Sequence, residues 1–424
     1  ELGDLERLKL VIDYLPDEEL MQALENERAN GRNDYPVRAV WNSVLAGIVF
    51  QHPTIESLRR ELSRNAQLRQ VCGFDITLGV EGVPSSSAYT RFLRRLMTHQ
   101  KELDEMFDNL VRMLCDELPD FGETLAIDGK ALESYAKPRR AESEKPYDGR
   151  RDIDANFGVK TYKGKNKDGS VWEKTMSWFG YKLHLIVDAN YELPVAFRVT
   201  QASRSEIKEA RTLVDEMALR LPEIVDRCTY LTGDKGYDDT KMTTKLWDEY
   251  KIKPVIDIRN AWRDGEETKL VTGRENVVYD YKGTVYCYSP EDNRRREMVP
   301  GGFEKDRDAL KCLCPAKYYG VECRGKDACP VKSGVRIPLC EDRRVFTPVA
   351  RPSAKWKKIY NKRTAVERVN SRIDRVFGFE DHCVRGLRKM NLRCSLALIT
   401  MLAMALGRIK TKQGDKLRSL VQAA

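Results

Sequence analysis

Two short apolar runs in this chain stop in the same way, and together they restrict the fold more than any other feature. "TLAID" runs into Asp128 and is followed by Gly129 and Lys130; "TYLTG" runs into Asp234, with Lys235 and Gly236 behind it. Singly, each is ordinary turn chemistry, because Asp and Gly are residues that turns prefer. As a pair they read as two strands that each present a carboxylate at the carboxyl end. If the strands lie side by side in a parallel pair, the acids emerge together at the sheet edge where α/β folds place their ligands. Carboxylates forced together repel unless a cation neutralises them, and all-oxygen ligation open to substrate phosphates suits Mg²⁺ or Mn²⁺.

The surrounding pattern supports a mixed sheet. "GYKLHLIVD" and "LPVAFRVT" flank "ANYE" as an antiparallel hairpin; the helix "EIKEARTLVDEMALRL", the Asp234 strand, the helix "TKMTTKLWDEY" and the strand "KPVIDI" follow. That order predicts an α/β sheet with an antiparallel edge. Residues 137–170 are polar and rich in Lys, Arg, Gly and Asp, and read as a long loop. Ahead of Thr124 the apolar spacing is helical, and two stretches suggest contact with DNA. One is "YPVRAVWNSVLAGIVF"; the other is "VPSSSAYTRFLRRL", a serine N-cap before a helix bearing Arg91, Arg94 and Arg95. After Ile258 the pattern breaks until Lys355, too long an interval for a bare loop, which predicts an inserted subdomain. The expected division is a helical DNA-binding or dimerisation domain over 1–120, a catalytic domain over 121–259 and 351–424, and a Cys-rich insertion over 260–350. The most apolar stretch, Cys394–Leu406, has 13 residues and reads as a buried core helix rather than a span; no secretory signal is visible.

The net charge is +9, and Arg343–Arg375 carries all of it: eleven Lys or Arg against Glu367 and Asp374. A basic block of this kind suits a polyphosphate partner. Laid out at 100° per residue, the helix "KWKKIYNKRTAVERVNSRIDRVFGF" puts Ile359, Val366, Val369, Ile373 and Val376 on a core stripe. Tyr360, Arg363, Glu367 and Ser371 share a second stripe; Lys357, Arg368, Arg372 and Arg375 lie mostly on a third. Glu367 is therefore the candidate third acid, with Arg363 one turn before it.

Asp128, Asp234 and Glu367, in "AIDGKAL", "LTGDKGYDD" and "YNKRTAVERVNSRI", resemble the acidic triad of the DDE transposases of bacterial insertion sequences. "GYKLHLIVD" contributes to the likeness, and Tyr360, Arg363 and Glu367 match the family's Tyr-x2-Arg-x3-Glu signature. The lysine that usually follows seven residues after the Glu is replaced here by Asp374, with Arg375 beside it. The resemblance implies a ribonuclease H-like catalytic domain, two Mg²⁺ or Mn²⁺ ions held by Asp128, Asp234 and Glu367, and hydrolysis at the transposon end followed by attack of the freed 3′-OH on target DNA. Lys130, Lys235, Tyr360, Arg363, Arg368, Arg372 and Arg375 are the expected DNA contacts. The expected partner is double-stranded DNA, both transposon ends and target, bound by a homodimer in the bacterial cytoplasm at the nucleoid, without a membrane. Two alternatives stay open: an endonuclease of the same fold that does not transfer strands, and a transposon-derived DNA-binding protein without activity.

Eleven cysteines without a secretory signal point to a reducing compartment. Cys312, Cys314, Cys323, Cys329 and Cys340 fall within 29 residues, with Cys287 upstream, and four of the five are expected to hold one structural Zn²⁺.

Overall fold

The computed structural model describes residues 4–28, 34–138, 152–166 and 168–418. At its centre lies a mixed sheet built on β1 (Thr124–Glu133), whose apolar start Leu125–Ile127 is buried. On one side β1 pairs in parallel with β5 (Tyr230–Gly233), and β5 pairs in parallel with β6 (Lys253–Ile256). On the other side it pairs antiparallel with β3 (Val171–Asp188), which forms the expected hairpin with β4 (Leu193–Gln201). The spatial order β4-β3-β1-β5-β6 is the ribonuclease H-like mixed α/β sheet that the sequence implied.

Two boundaries differ from the sequence reading. β1 does not end on Asp128. Hydrogen bonding to β3 continues to the Glu133–Gly180 pair, so the acid sits mid-strand where β5 stops. Nor is 137–170 a loop throughout, although its residues 139–151 and 167 lie outside the described residues. Asn156–Lys165 forms β2, which pairs with the first half of β3. Its Gly and Lys content hides a strand, because glycines are needed there. A Cβ on Gly158 or Gly164 would come within 2.3 or 2.5 Å of the indole of Trp178 or Trp172.

Helices α1 (Leu5–Tyr14), α2 (Glu18–Arg28), α3 (Val37–Val49), α4 (Ile55–Arg64), α5 (Ala66–Cys72), α6 (Ser86–Leu96) and α7 (Gln100–Glu117) precede the sheet. They share one continuous apolar core with it, because α14 (Leu387–Lys410) packs against α1, α3, α7 and β4 at once. α14 is long and apolar enough by composition to cross a bilayer, yet 89% of its most apolar window is buried inside the protein. Helices α8 (Glu206–Arg220), α9 (Pro222–Arg227) and α10 (Thr240–Thr244) connect β4 to β5 and β5 to β6.

The insertion has its own small core, centred on Val277, Tyr279, Leu310, Ile337 and Phe346. It contains a four-stranded sheet, β7 (Lys269–Leu270), β8 (Val277–Tyr279), β9 (Val285–Tyr288) and β10 (Arg295–Glu297). A three-stranded sheet follows, β11 (Val299–Glu304), β12 (Ala309–Leu313) and β13 (Gly334–Pro338), with the short helix α11 (Pro315–Tyr319) between its last two strands. The chain then returns through α12 (Ala354–Tyr360) and α13 (Thr364–Phe377). A single 3₁₀ turn at Asn361–Arg363 separates them, so the predicted continuous helix is two. The break divides the expected core stripe. Val366, Val369 and Ile373 join the main core, whereas Ile359 packs with Val255 and Val349 in a separate cluster.

Candidate active site

The β1–β5 register aligns Leu125 with Leu231 and Ala126 with Thr232. Carried two residues further, it sets Asp128 opposite Asp234, on the same row at the carboxyl edge of β5. Each carboxylate is oriented by the backbone behind it. Gly129 N–H donates to Asp128 Oδ1 at 2.8 Å, and Gly236 N–H to Asp234 Oδ1 at 2.7 Å, as Asp234 caps the 3₁₀ turn Lys235–Tyr237. Gly236 serves by its lack of volume, since a Cβ there would lie 2.8 Å from Asp234 Oδ1. Burial pushes the Asp128 carboxyl up to about 6; the Gly129 N–H and Lys160 oppose the shift, and the charges of Asp234 and Glu206 add to it. A cation brought to this edge relieves that cost.

Glu206, at the first position of α8, is a carboxylate that the sequence reading did not single out. Its Oε1 lies 3.2 Å from where a Gly129 Cβ would stand, and its Oε2 lies 3.5 Å from the corresponding point on Gly236. Both gaps open because glycine occupies those positions. Lys182 Nζ lies 3.3 Å from Glu206 Oε1 and donates to Arg204 O at 3.2 Å, tying the start of α8 to β3. Glu206 escapes sequence reading because it looks like an acid in a helix first turn, which the helix dipole favours anyway. The signal is Gly129 and Gly236 together, two empty side-chain positions that face the same carboxylate.

Arg363 ends the 3₁₀ turn before α13 and lies one turn ahead of Glu367, with Arg363 Nη1 donating to Glu367 Oε1 at 2.8 Å. The guanidinium lies over the Tyr360 ring at 5.7 Å, and Tyr360 stacks on Trp356 at 4.5 Å. Burial works against the Arg363 charge, but the bond to Glu367 and the charges of Glu367, Tyr360 and Asp128 outweigh it and hold the guanidinium above its ordinary value. Burial and Asp257 raise the Tyr360 phenol; Arg363 opposes this and Asp234 adds to it. The Asn361–Arg363 turn packs against β1 and β5, which puts the Tyr-x2-Arg pair on the side of the sheet edge that carries the two aspartates. The Glu367 side chain is 51% exposed.

Other expected contacts are engaged elsewhere. Lys130 Nζ bonds Asp374 Oδ2 at 2.6 Å, so the acid that stands in place of the family's lysine ties α13 to β1. Arg368 donates to Glu192 Oε1 at 2.6 Å and Arg372 donates to the Glu192 carbonyl at 2.9 Å, with a second bond to its carboxylate. Glu192 is a buried acid in the β3–β4 turn at φ 60°. The third stripe therefore holds a turn of the sheet with two of its arginines, leaving Arg375 exposed. In the same basic block, Arg344 bonds buried Asp238 at 2.7 Å, and Arg351 donates to Ile256 O at 3.1 Å. Lys235 is exposed, 3.4 Å from Asp257. His184 is a core residue: Nε2 meets Thr200 Oγ1 at 2.9 Å, and burial with Lys182 and Arg198 pushes its imidazole down to about 3.

Residues 121–403 match the family model described as a transposase DDE domain, which is two thirds of the chain. The chain belongs to the DDE transposases. A second model, described as a transposase domain, matches residues 4–95, the region of α1–α6. No curated protein matches the chain. Among solved structures it is similar to the piggyBac transposase in its synaptic complex with hairpin DNA, at 12% identity and a TM-score of 0.39, covering 100% of this chain and 78% of that one. So loose a likeness does not bear on the site. Membership makes this chain a transposase that acts on DNA, from a family that works with divalent metal ions. The donor chemistry suits such ions, since Asp128, Asp234, Glu206 and Glu367 offer the carboxylate oxygens that hard cations take, while among the described residues no three such side chains stand close enough together to hold one.

Proposed function

We propose that this transposase cleaves the ends of an insertion sequence and joins the freed 3′-OH to target DNA, with Asp128, Asp234 and Glu367 as its metal-binding acids. One observation carries the reading: the β1–β5 register brings Asp128 opposite Asp234, while the turn between α12 and α13, which carries Arg363 bonded to Glu367, packs against the same two strands. Two Mg²⁺ or Mn²⁺ ions bound there would activate the attacking oxygen and stabilise the leaving one.

The chain's own residues do the rest. Gly129 and Gly236 N–H groups fix one oxygen of each aspartate, leaving the other to face the substrate. Arg363, braced on Tyr360, offers a planar fork for a phosphate oxygen next to the scissile bond, a grip lysine cannot reproduce. Glu206 adds a further carboxylate beside Gly129 and Gly236. Exposed Lys235 and Arg375 are placed to hold flanking phosphates. A homodimer on DNA, in the bacterial cytoplasm at the nucleoid, is part of the same proposal.

Incubation with Mg²⁺, a labelled transposon end and a supercoiled target tests it. Joined products are expected. Nicked ends without joining would make the protein an endonuclease of this fold, and no cleavage of any end would leave only DNA binding.

A further inference from the structure

Four cysteines of the insertion come to one corner, and one of them, Cys287, lies outside the five from which the sequence spacing drew its ligands. Cys287 lies on β9, paired with Val277 of β8 and Arg296 of β10. The Arg296 side chain is buried, and its Nε donates to Glu322 O at 2.7 Å, which brings the neighbouring Cys323 to the same strand pair. Asn276 Nδ2 donates to Tyr288 O at 3.0 Å and to Cys329 Sγ at 3.6 Å, so one amide joins the end of β9 to the third cysteine. Cys314 N–H donates to Ser333 O at 3.1 Å, next to Lys332, whose N–H donates to Cys329 O at 3.1 Å. A Cβ on Gly325 would lie 2.9 Å from Pro290 Cδ, so the loop between Cys323 and Cys329 rests on the β9–β10 turn. Cys312 is buried in β12 and Cys340 is exposed, and neither is tied to this corner by these bonds.

From this convergence we infer that Cys287, Cys314, Cys323 and Cys329 form a structural metal site of the soft-ligand class, selective for Zn²⁺. It does not depend on the catalytic reading. The segment from Gly320 to Ser333 has no regular secondary structure and few apolar side chains; Val321 is exposed, and Val331 alone of its valines is buried in the insertion core. Hydrophobic burial therefore gives it little hold on the small insertion core, and a metal would supply the missing tie as folding free energy. All four are free thiols, and among the described residues no three or more His, Cys, Asp or Glu side chains stand close enough together to hold an ion as they are. The same holds for the carboxylates of the active site. The hydrogen bonds already fix the backbone around the cysteine corner, so closing the tetrahedron falls to side-chain torsions and the 320–333 loop.

Elemental analysis of the full chain, purified without added metal, should find about one zinc per chain. Cys287→Ser and Cys323→Ser should each lose it, Cys340→Ser should keep it, and Asp128→Asn should keep it too, which separates this site from the catalytic one. Should a Cys→Ser variant fail to fold, Co²⁺ exchanged into the intact protein gives the second reading. Thiolate-to-cobalt charge transfer with tetrahedral d–d bands is expected. Zinc near zero without such a spectrum, or full zinc in Cys287→Ser, overturns the assignment.

Discussion

The acids at the sheet edge and the arginines on the following helix were located by the same kind of reasoning, and the structure treats them differently. Asp128 and Asp234 stand where their strands imply, because parallel pairing leaves little freedom once Ala126 meets Thr232. On α13 the helical spacing holds locally, as the Arg363–Glu367 bond shows, yet it says nothing about what faces each stripe. Arg368 and Arg372 reach a buried Glu192 that no helical layout could reveal. Strand register is fixed by backbone hydrogen bonds common to every sequence, whereas the partners of a helix face come from distant side chains.

The sharpest way to break this comparison is to remove the acids. Asp128→Asn, Asp234→Asn or Glu367→Gln should lower single-turnover cleavage at least ~10³-fold, with DNA affinity nearly unchanged because no cationic side chain is lost. Wild-type rates in any one of them would exclude that residue from the site. Next in size is the Glu192 cluster. Arg372→Ala leaves a buried carboxylate short of a partner and should cost about 3 kcal/mol of unfolding free energy, read from denaturant melts. If instead it left stability intact and reduced the salt dependence of DNA binding, its third-stripe placement would be the functional one.

Arg363→Lys keeps the charge and loses the fork. It should slow the chemical step at saturating DNA by roughly tenfold to hundredfold, about 1.5–3 kcal/mol, while binding changes little. An effect confined to affinity would remove Arg363 from the scissile phosphate. The smallest effect is on pH dependence. The folded-state Asp128 pKa, at about 6, lies above its unfolded value, so the folded state binds more protons and loses stability as pH rises through that window. Metal-free Asp128→Asn should therefore gain on the order of 1–2 kcal/mol over wild type at pH 8, and nothing below about pH 4. A gain independent of pH would show that the carboxyl is not the cause.

What the sequence disclosed follows the same division. The sheet order and the two aspartates were legible, since strand, acid and glycine sit together in a few residues. Glu206 was not, because its evidence is the space left by Gly129 and Gly236 on other elements. β2 was hidden by a Gly and Lys composition that makes room for Trp172 and Trp178. The basic block was counted correctly, but Arg344, Arg351 and Arg372 serve the fold, which the sum of charges cannot distinguish from phosphate contacts.

Two glutamates now compete for the third place beside the aspartates: Glu367 on α13, exposed and held by Arg363, and Glu206 on α8, set against Gly129 and Gly236. Mn²⁺ binding to the DNA-bound protein, followed by electron paramagnetic resonance, separates them. Glu367→Gln should abolish at least one Mn²⁺ site, as Asp128→Asn and Asp234→Asn should, while Glu206→Gln should weaken binding by about tenfold without losing a site. Wild-type Mn²⁺ binding in Glu367→Gln, with a site lost in Glu206→Gln, would contradict Glu367 as the third metal-binding acid.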